Sequence, residues 1–163
     1  MPQSSSKPAS QAALPALAPH IVCQGANEAM DFYKKAFGAR ERLRIPTPDG
    51  KLMHGEIDVN GALVLLTEES PQFGSLSPKT LNATTVTLHL YVDDVDAFMA
   101  KAEAAGAKIA SPPSDMFWGD RYGVLVDPFG HRWSVATHLR DLSPEELQKA
   151  AREFMEKMVC GSD

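Results

Sequence analysis

The side chains with most chemistry to offer fall in one dense stretch and at four scattered positions. From Met116 to His138 the chain reads MFWGDRYGVLVDPFGHRWSVATH, with two Trp, two Arg, two His, two Asp and three Gly in 23 residues. Trp118 offers a flat apolar wall for a planar or apolar ligand; the alternative is a cap on the edge of the core. Arg121 carries a planar fork suited to an anion, or it pairs with Asp120 at the surface. Outside this stretch stand His20, His54, Glu56 and His89. Imidazoles and a carboxylate of this kind serve as hydrogen-bonding pocket walls or as ligands to a divalent ion. Nucleophilic catalysis has little support: there is no GxSxG elbow and no phosphate-cradling loop. Strand parity puts Cys23 beneath a helix as a small buried hydrophobe, and Cys160 lies near the chain end.

These residues must be positioned by elements, and the elements repeat. His20 and His89 are 69 positions apart, as are Gly61 and Gly130, while Gly38 and Gly106, each followed by Ala, are 68 apart. Each half opens with a short strand, HIVCQ or TVTLHLYV. In the second, Val86, Leu88, Leu90 and Val92 alternate with Thr87, His89 and Tyr91, the period of a strand. A helix follows, NEAMDFYKKAF or DVDAFMAKAEAA, with Asn27 or Asp94 available as N-cap and Gly38 or Gly106 as C-terminal stop. Two or three strands with tight turns complete each half. Asn60-Gly61 predicts a type I′ hairpin turn, and Asp127-Pro128-Phe129-Gly130 predicts a second turn, with His131 exposed beside it or holding it. Trp133 falls on the helix side of the last strand, Ser134 on the other. The terminal SPEELQKAAREFMEKM predicts a helix with Ser143 as N-cap, Pro144 in the first turn and Glu146 completing a capping box. Its stripe of Leu147, Ala150, Ala151, Phe154, Met155 and Met158 needs a cover.

The expected organisation is therefore a disordered tail over 1–14, a βαβββ module over 15–69, a Ser/Pro-rich linker over 70–83, a second βαβββ module over 84–140 and an amphipathic helix over 141–159. The fold class is α+β, with the two modules forming a curved mixed-sheet cup. The formal charge of −5 tells against nucleic acid, whose phosphates require a basic face. No apolar run approaches the roughly 20 residues that span a bilayer, and no signal peptide is evident. Two cysteines outside any CxxC pair suit a reducing, cytoplasmic setting.

The segments AMDFYKKAFGA, VDDVDAFMAKAEAAGAKI and DPFGHRW, set in paired βαβββ units, resemble the vicinal oxygen chelate superfamily of glyoxalase I, extradiol dioxygenases and bleomycin or fosfomycin resistance proteins. FYKKAFGA, MHGEI and DMFWGDRYG are similar to its PhnB-related, glyoxalase-like branch. The resemblance spans about residues 15–140. It implies a ligand within the cup, a homodimer and, in metal-bearing relatives, His, Gln or Glu ligands at four matched positions on the first and last strands of the modules. Carried over, those positions fall near Ala18, Leu65, Thr87 and Ser134, a set that supplies no usual ligand. A register shift would instead gather His20, His89 and Glu56 as a two-His, one-carboxylate set suited to ferrous iron.

The expected pocket is thus His20, His54, Leu65, Thr87, His89, Tyr91, Trp118, Arg121 and Ser134. The expected function is small-molecule binding with a degenerate metal site, sequestering a drug or metabolite. The alternative is a divalent-metal-dependent lyase or dioxygenase using His20, His89 and Glu56.

Overall fold

The computed structural model describes residues 14–160, so all of the expected N-terminal tail but Leu14 lies outside the described residues. The first half runs β1 (His20–Cys23), α1 (Ala26–Phe37), β2 (Arg40–Pro46), β3 (Leu52–Val59) and β4 (Ala62–Glu68). The second runs β5 (Thr87–Tyr91), α3 (Val95–Ala104), β6 (Lys108–Asp115), β7 (Asp120–Val126) and β8 (Arg132–His138). Between them lie a 3-10 turn, Pro71–Phe73, and a four-residue helix α2 (Pro78–Leu81); α4 (Pro144–Cys160) closes the chain. Each half is a four-stranded sheet, ordered β1-β4-β3-β2 and β5-β8-β7-β6. The first strand pairs parallel to the last, and the other pairs are antiparallel. Cross-strand partners repeat the offset seen in the sequence: His20 lies opposite Leu65, and His89 opposite Ser134.

One face of each sheet packs on its helix, and the two helix sides share a single core. Met30, Tyr33 and Phe37 of α1, Met99 of α3, and Ile57, Leu66, Leu125, Trp133 and Val135 of the strands are all buried there. Phe37 meets Phe98 and Trp133 at ring-centroid distances of 5.0 Å each. The duplication extends to a packing detail with no obvious sequence signal. Gly55 on β3 seats the sulfur of Met30, and Gly123 on β7 seats that of Met99; a Cβ at either glycine would overlap the thioether.

Helix ends follow the sequence in part. Asp94 caps α3 by accepting from Ala97 N at 2.9 Å. Ser143 and Glu146 form the reciprocal capping box at α4, at 3.2 and 2.7 Å. Gly38 ends α1 with φ 68°. α3 stops one residue before Gly106, at an Ala105 cap in the right-handed region. Asn27 is not the cap of α1: Gly25 takes that place, and the Glu68 carboxylate accepts from Gly25 N at 3.0 Å and Ala26 N at 2.7 Å. Because β4 runs parallel beside β1, its end delivers a carboxylate to the start of the helix that follows β1. Asn27 instead donates to the Gly50 carbonyl and accepts from Arg44.

The Asn60-Gly61 tip has φ of 50° and 89°, as a type I′ turn requires. At the other hairpin Asp127 is buried and fully engaged. One oxygen accepts from Phe129 N and His131 N, the other from Tyr33 Oη at 2.6 Å and Trp133 Nε1 at 2.9 Å. The hairpin tips also tie the halves together. Asn60 Nδ2 donates to the Tyr91 carbonyl at 2.6 Å, and His131 Nε2 donates to the Val22 carbonyl at 3.0 Å. Val22 and Tyr91 are repeat equivalents, so each module's tip engages the outer edge of the other's first strand.

Candidate functional site

The face of the second sheet turned away from the core is set by strand parity. Gly123, Leu125, Trp133, Val135 and Leu90 point toward the helices. Their alternates, Asp120, Tyr122 and Val124 on β7, Ser134, Ala136 and His138 on β8, and His89 and Tyr91 on β5, share the open side. They stand in register: Asp120 opposite His138, Tyr122 and Tyr91 flanking Ala136, Val124 and His89 flanking Ser134.

Asp120 organises this face. Only 5% exposed, it accepts from His138 Nδ1 at 2.8 Å, from Trp118 Nε1 at 3.1 Å and from the Tyr91 hydroxyl at 3.4 Å. A buried carboxylate is tolerable only when its lone pairs are met in this way. Hydrogen bonds to Asp120 and then to Asp141 raise the His138 pKa above the usual imidazole value. Aromatic rings cover the Ala136 floor: Trp118 meets Tyr122 at 5.4 Å, Tyr122 stacks near-parallel on His89 at 6.1 Å, and His89 meets Tyr91 edge-on at 4.6 Å. His89 Nδ1 lies 2.7 Å from Ser134 Oγ. The result is an aromatic platform with an imidazole–hydroxyl pair at one end and a carboxylate–imidazole pair at the other. Tyr91 is 54% exposed on it.

The corresponding face of the first sheet carries His20, Leu65, Glu56 and Leu43 side by side across β1, β4, β3 and β2. His54 Nε2 lies 3.3 Å from Glu56 Oε1, and the His20 and His54 rings meet edge-on at 6.1 Å. Burial, and secondarily the charge of His54, lowers the His20 pKa. A cavity of about 450 Å³ opens beside His20, walled by Val22, Leu76, Leu81, Leu88 and His131, between the outer edges of β1 and β5.

Of the expected site residues, His89, Tyr91, Trp118 and Ser134 come together on the second sheet's open face, with Thr87 on the same side at the start of β5. His20, His54 and Leu65 come together on the first. Arg121 belongs to neither. Its parity is that of Gly123 and Leu125, so it lies on the helix side, where Nε and Nη2 reach Asp96 at 2.5 and 2.9 Å and Nη1 reaches Asp115 at 2.9 Å. The guanidinium expected to face the cup is thus engaged by two carboxylates on the opposite side of the sheet. Asp120, Tyr122 and His138, which are not among the expected pocket residues, share the open face with them. The alternation that displaces Arg121 also points its neighbours 120 and 122 outward, and that was the available signal.

The metal positions implied by the resemblance move by two residues on the first strands, from Ala18 and Thr87 to His20 and His89, because these are the cross-strand partners of Leu65 and Ser134. The donors still do not fit a chelated divalent ion. Leu65 separates His20 from Glu56, His89 lies on the other sheet and spends Nδ1 on Ser134, and among the described residues no group of three or more His, Cys, Asp and Glu side chains is placed to hold a metal. The His20, His89 and Glu56 set is not assembled within one chain. Nor is Cys23 a nucleophile: burial, then the charges of Asp127 and Glu68, push its thiol far above the usual range.

Residues 15–135 match the Glyoxalase/Bleomycin resistance protein/Dioxygenase superfamily. The chain belongs to this superfamily. An uncharacterized protein of Mycobacterium tuberculosis is 48% identical over 139 residues, covering 83% of this chain and 82% of that one. An uncharacterized Arabidopsis thaliana protein is 31% identical over 124 residues, 71% of this chain and 74% of its own. Among solved structures, TioX from Micromonospora sp. ML1 superposes with a TM-score of 0.61 at 28% identity, over 76% of this chain and 98% of TioX. A PhnB protein from Bacillus cereus shares the fold, with a TM-score of 0.58 at 16% identity over 76% and 99% of the two chains. Among the described residues of this superfamily member, no helix is long and apolar enough to cross a membrane.

Proposed function

We propose that the protein binds a small planar or apolar molecule on the aromatic platform of the second sheet, acting by sequestration of a drug or metabolite rather than by metal chemistry, in a cytoplasmic setting. The observation that carries this is the Asp120 cluster: a buried carboxylate holding Trp118, Tyr91 and His138 in fixed orientation is preorganisation of the kind binding sites need. Leu65 beside His20 supports a degenerate metal position. A homodimer completes the site. Each open face is a half-cup, and Leu43, Ile45 and Met53 on the first sheet remain exposed, an apolar surface that suits the second module of another copy.

The test is a thermal-shift screen of planar aromatic compounds against the wild type and Tyr122→Ala. A ligand present at 100 times its Kd adds about 2.7 kcal/mol. The expected result is a shift in the wild type that Tyr122→Ala loses. Compounds that stabilise both equally would place the site elsewhere. Light scattering is expected to give twice the 17.7 kDa chain mass; a monomer would remove the shared cup. The metal-dependent alternative is judged by equilibrium dialysis with iron, zinc, nickel or manganese: stoichiometric uptake abolished by His89→Ala would displace the sequestration proposal.

A further inference from the structure

We propose that His138 is a pH-operated latch: its imidazolium bridges Asp120 on β7 to Asp141 beyond β8 and straps α4 beside the Trp118 rim, and its neutral form releases Asp141. The geometry is a two-sided clamp. Nδ1 lies 2.8 Å from Asp120 Oδ1, and Nε2 lies 2.9 Å from Asp141 Oδ1. Two carboxylates accept from both nitrogens together only when both carry hydrogen, which requires the cation. A neutral ring has one N–H. The buried Asp120, whose desolvation makes an unmet lone pair costly, keeps it; Nε2 then turns a lone pair toward Asp141, and that contact becomes repulsive.

The segment held by the clamp is the one that carries α4. Next to His138, Leu139 N and Arg140 N both donate to the Gly119 carbonyl, at 3.0 and 3.1 Å. Gly119 has φ 100°, and a Cβ there would overlap the Arg140 carbonyl oxygen, so the strap approaches the turn this closely only over a glycine. Beyond the strap, Phe154 of α4 packs on Phe117 at 5.1 Å, and Phe117 packs edge-on against Trp118 at 5.1 Å. α4 is otherwise mostly exposed, with Met155 61% accessible, so its placement depends heavily on the strap. The charged groups acting on His138 are Asp120 and Asp141. Tyr91 reaches Asp120 from β5 as a neutral phenol, its pKa raised by burial and by Asp120, and Arg140 holds the strap through its backbone N–H. The His138 pKa is raised in the fold, so the clamp contributes fully below the unfolded imidazole value and is lost as pH rises through the folded one.

The test is hydrogen exchange of the α4 amides in the full chain, expressed as protection relative to intrinsic rates, at about pH 5.5 and about pH 8.5, either side of the imidazole range. Protection of α4 is expected to fall roughly two- to fivefold at the higher pH, the range spanned by exposed ion pairs. His138→Gln is expected to flatten that dependence. Asp141→Asn, which keeps the side chain's size and removes only its charge, should flatten it too. Equal wild-type protection at both pH values overturns the latch, as does a pH step that survives Asp141→Asn. The experiment needs no ligand, so its failure is separate from failure of the sequestration proposal.

Discussion

Gly55 and Gly123 show how far a single absent side chain shapes this molecule. Each lies where a methionine from its own module's helix lays its sulfur against the sheet. A methyl group there has nowhere to go, because close-packed interiors do not absorb added volume cheaply. Gly123→Ala is expected to lower stability by about 1–3 kcal/mol, the usual range for overpacking, read as an earlier chemical-denaturation midpoint; an unchanged midpoint would mean that Met99 re-seats freely. Nothing in the sequence marks these glycines, since a strand glycine reads equally as a bulge or a weak spot. Individual strand positions were legible where alternation was unbroken. His89 opposite the Leu88/Leu90 face, Cys23 and Trp133 beneath the helices, and Ser134 on the face away from Trp133 all follow from period two, whereas the pairing of Ser134 with His89 is a register between strands that alternation does not give. Arg121 departs from the expected pocket because parity, not side-chain chemistry, decides which face a strand residue takes.

At the scale of the element, the contrast between α1 and α3 is instructive. Repeat-related helices take their caps from different places: Asp94 caps its own helix, whereas α1 relies on Glu68, more than forty residues away. Local sequence can reveal the first kind and not the second, because the second exists only once β4 lies parallel to β1. Removing it should carry the penalty of a lost N-cap. Glu68→Ala is expected to cost about 0.5–2 kcal/mol, whereas Asn27→Ala, at the position that resembles a cap, should cost distinctly less. Thermal melts of the two variants check the order, and the reverse order would return the cap to Asn27. The first strand and helix of each half, the two later hairpins and α4 were readable from periodicity, from Asn60-Gly61 and from the Ser143–Glu146 box; β2, β6 and the short α2 inside the expected linker were not. The meeting of His138, Trp118, Tyr91 and Asp120 was not, because three elements and a turn bring them together and no spacing in the chain encodes that.

Across the whole molecule, the two βαβββ units behave as one body because their core and polar contacts cross the boundary. Asp127, from the second unit, holds the hydroxyl of Tyr33 from the first along with Trp133 and its own turn. Asp127→Ala strips a buried phenol, an indole and two amides of their acceptor at once. A loss of about 3 kcal/mol or more is expected, with both halves melting in one transition. Two separated transitions would show that the halves are joined by little more than the chain. The reciprocal seating of each hairpin tip on the other unit's outer strand, Asn60 on Tyr91 and His131 on Val22, has a corollary for the covalent link between the halves. Both contacts join groups that the chain already tethers to one another, so they form at a fixed local concentration rather than by the diffusive encounter two separate units would need.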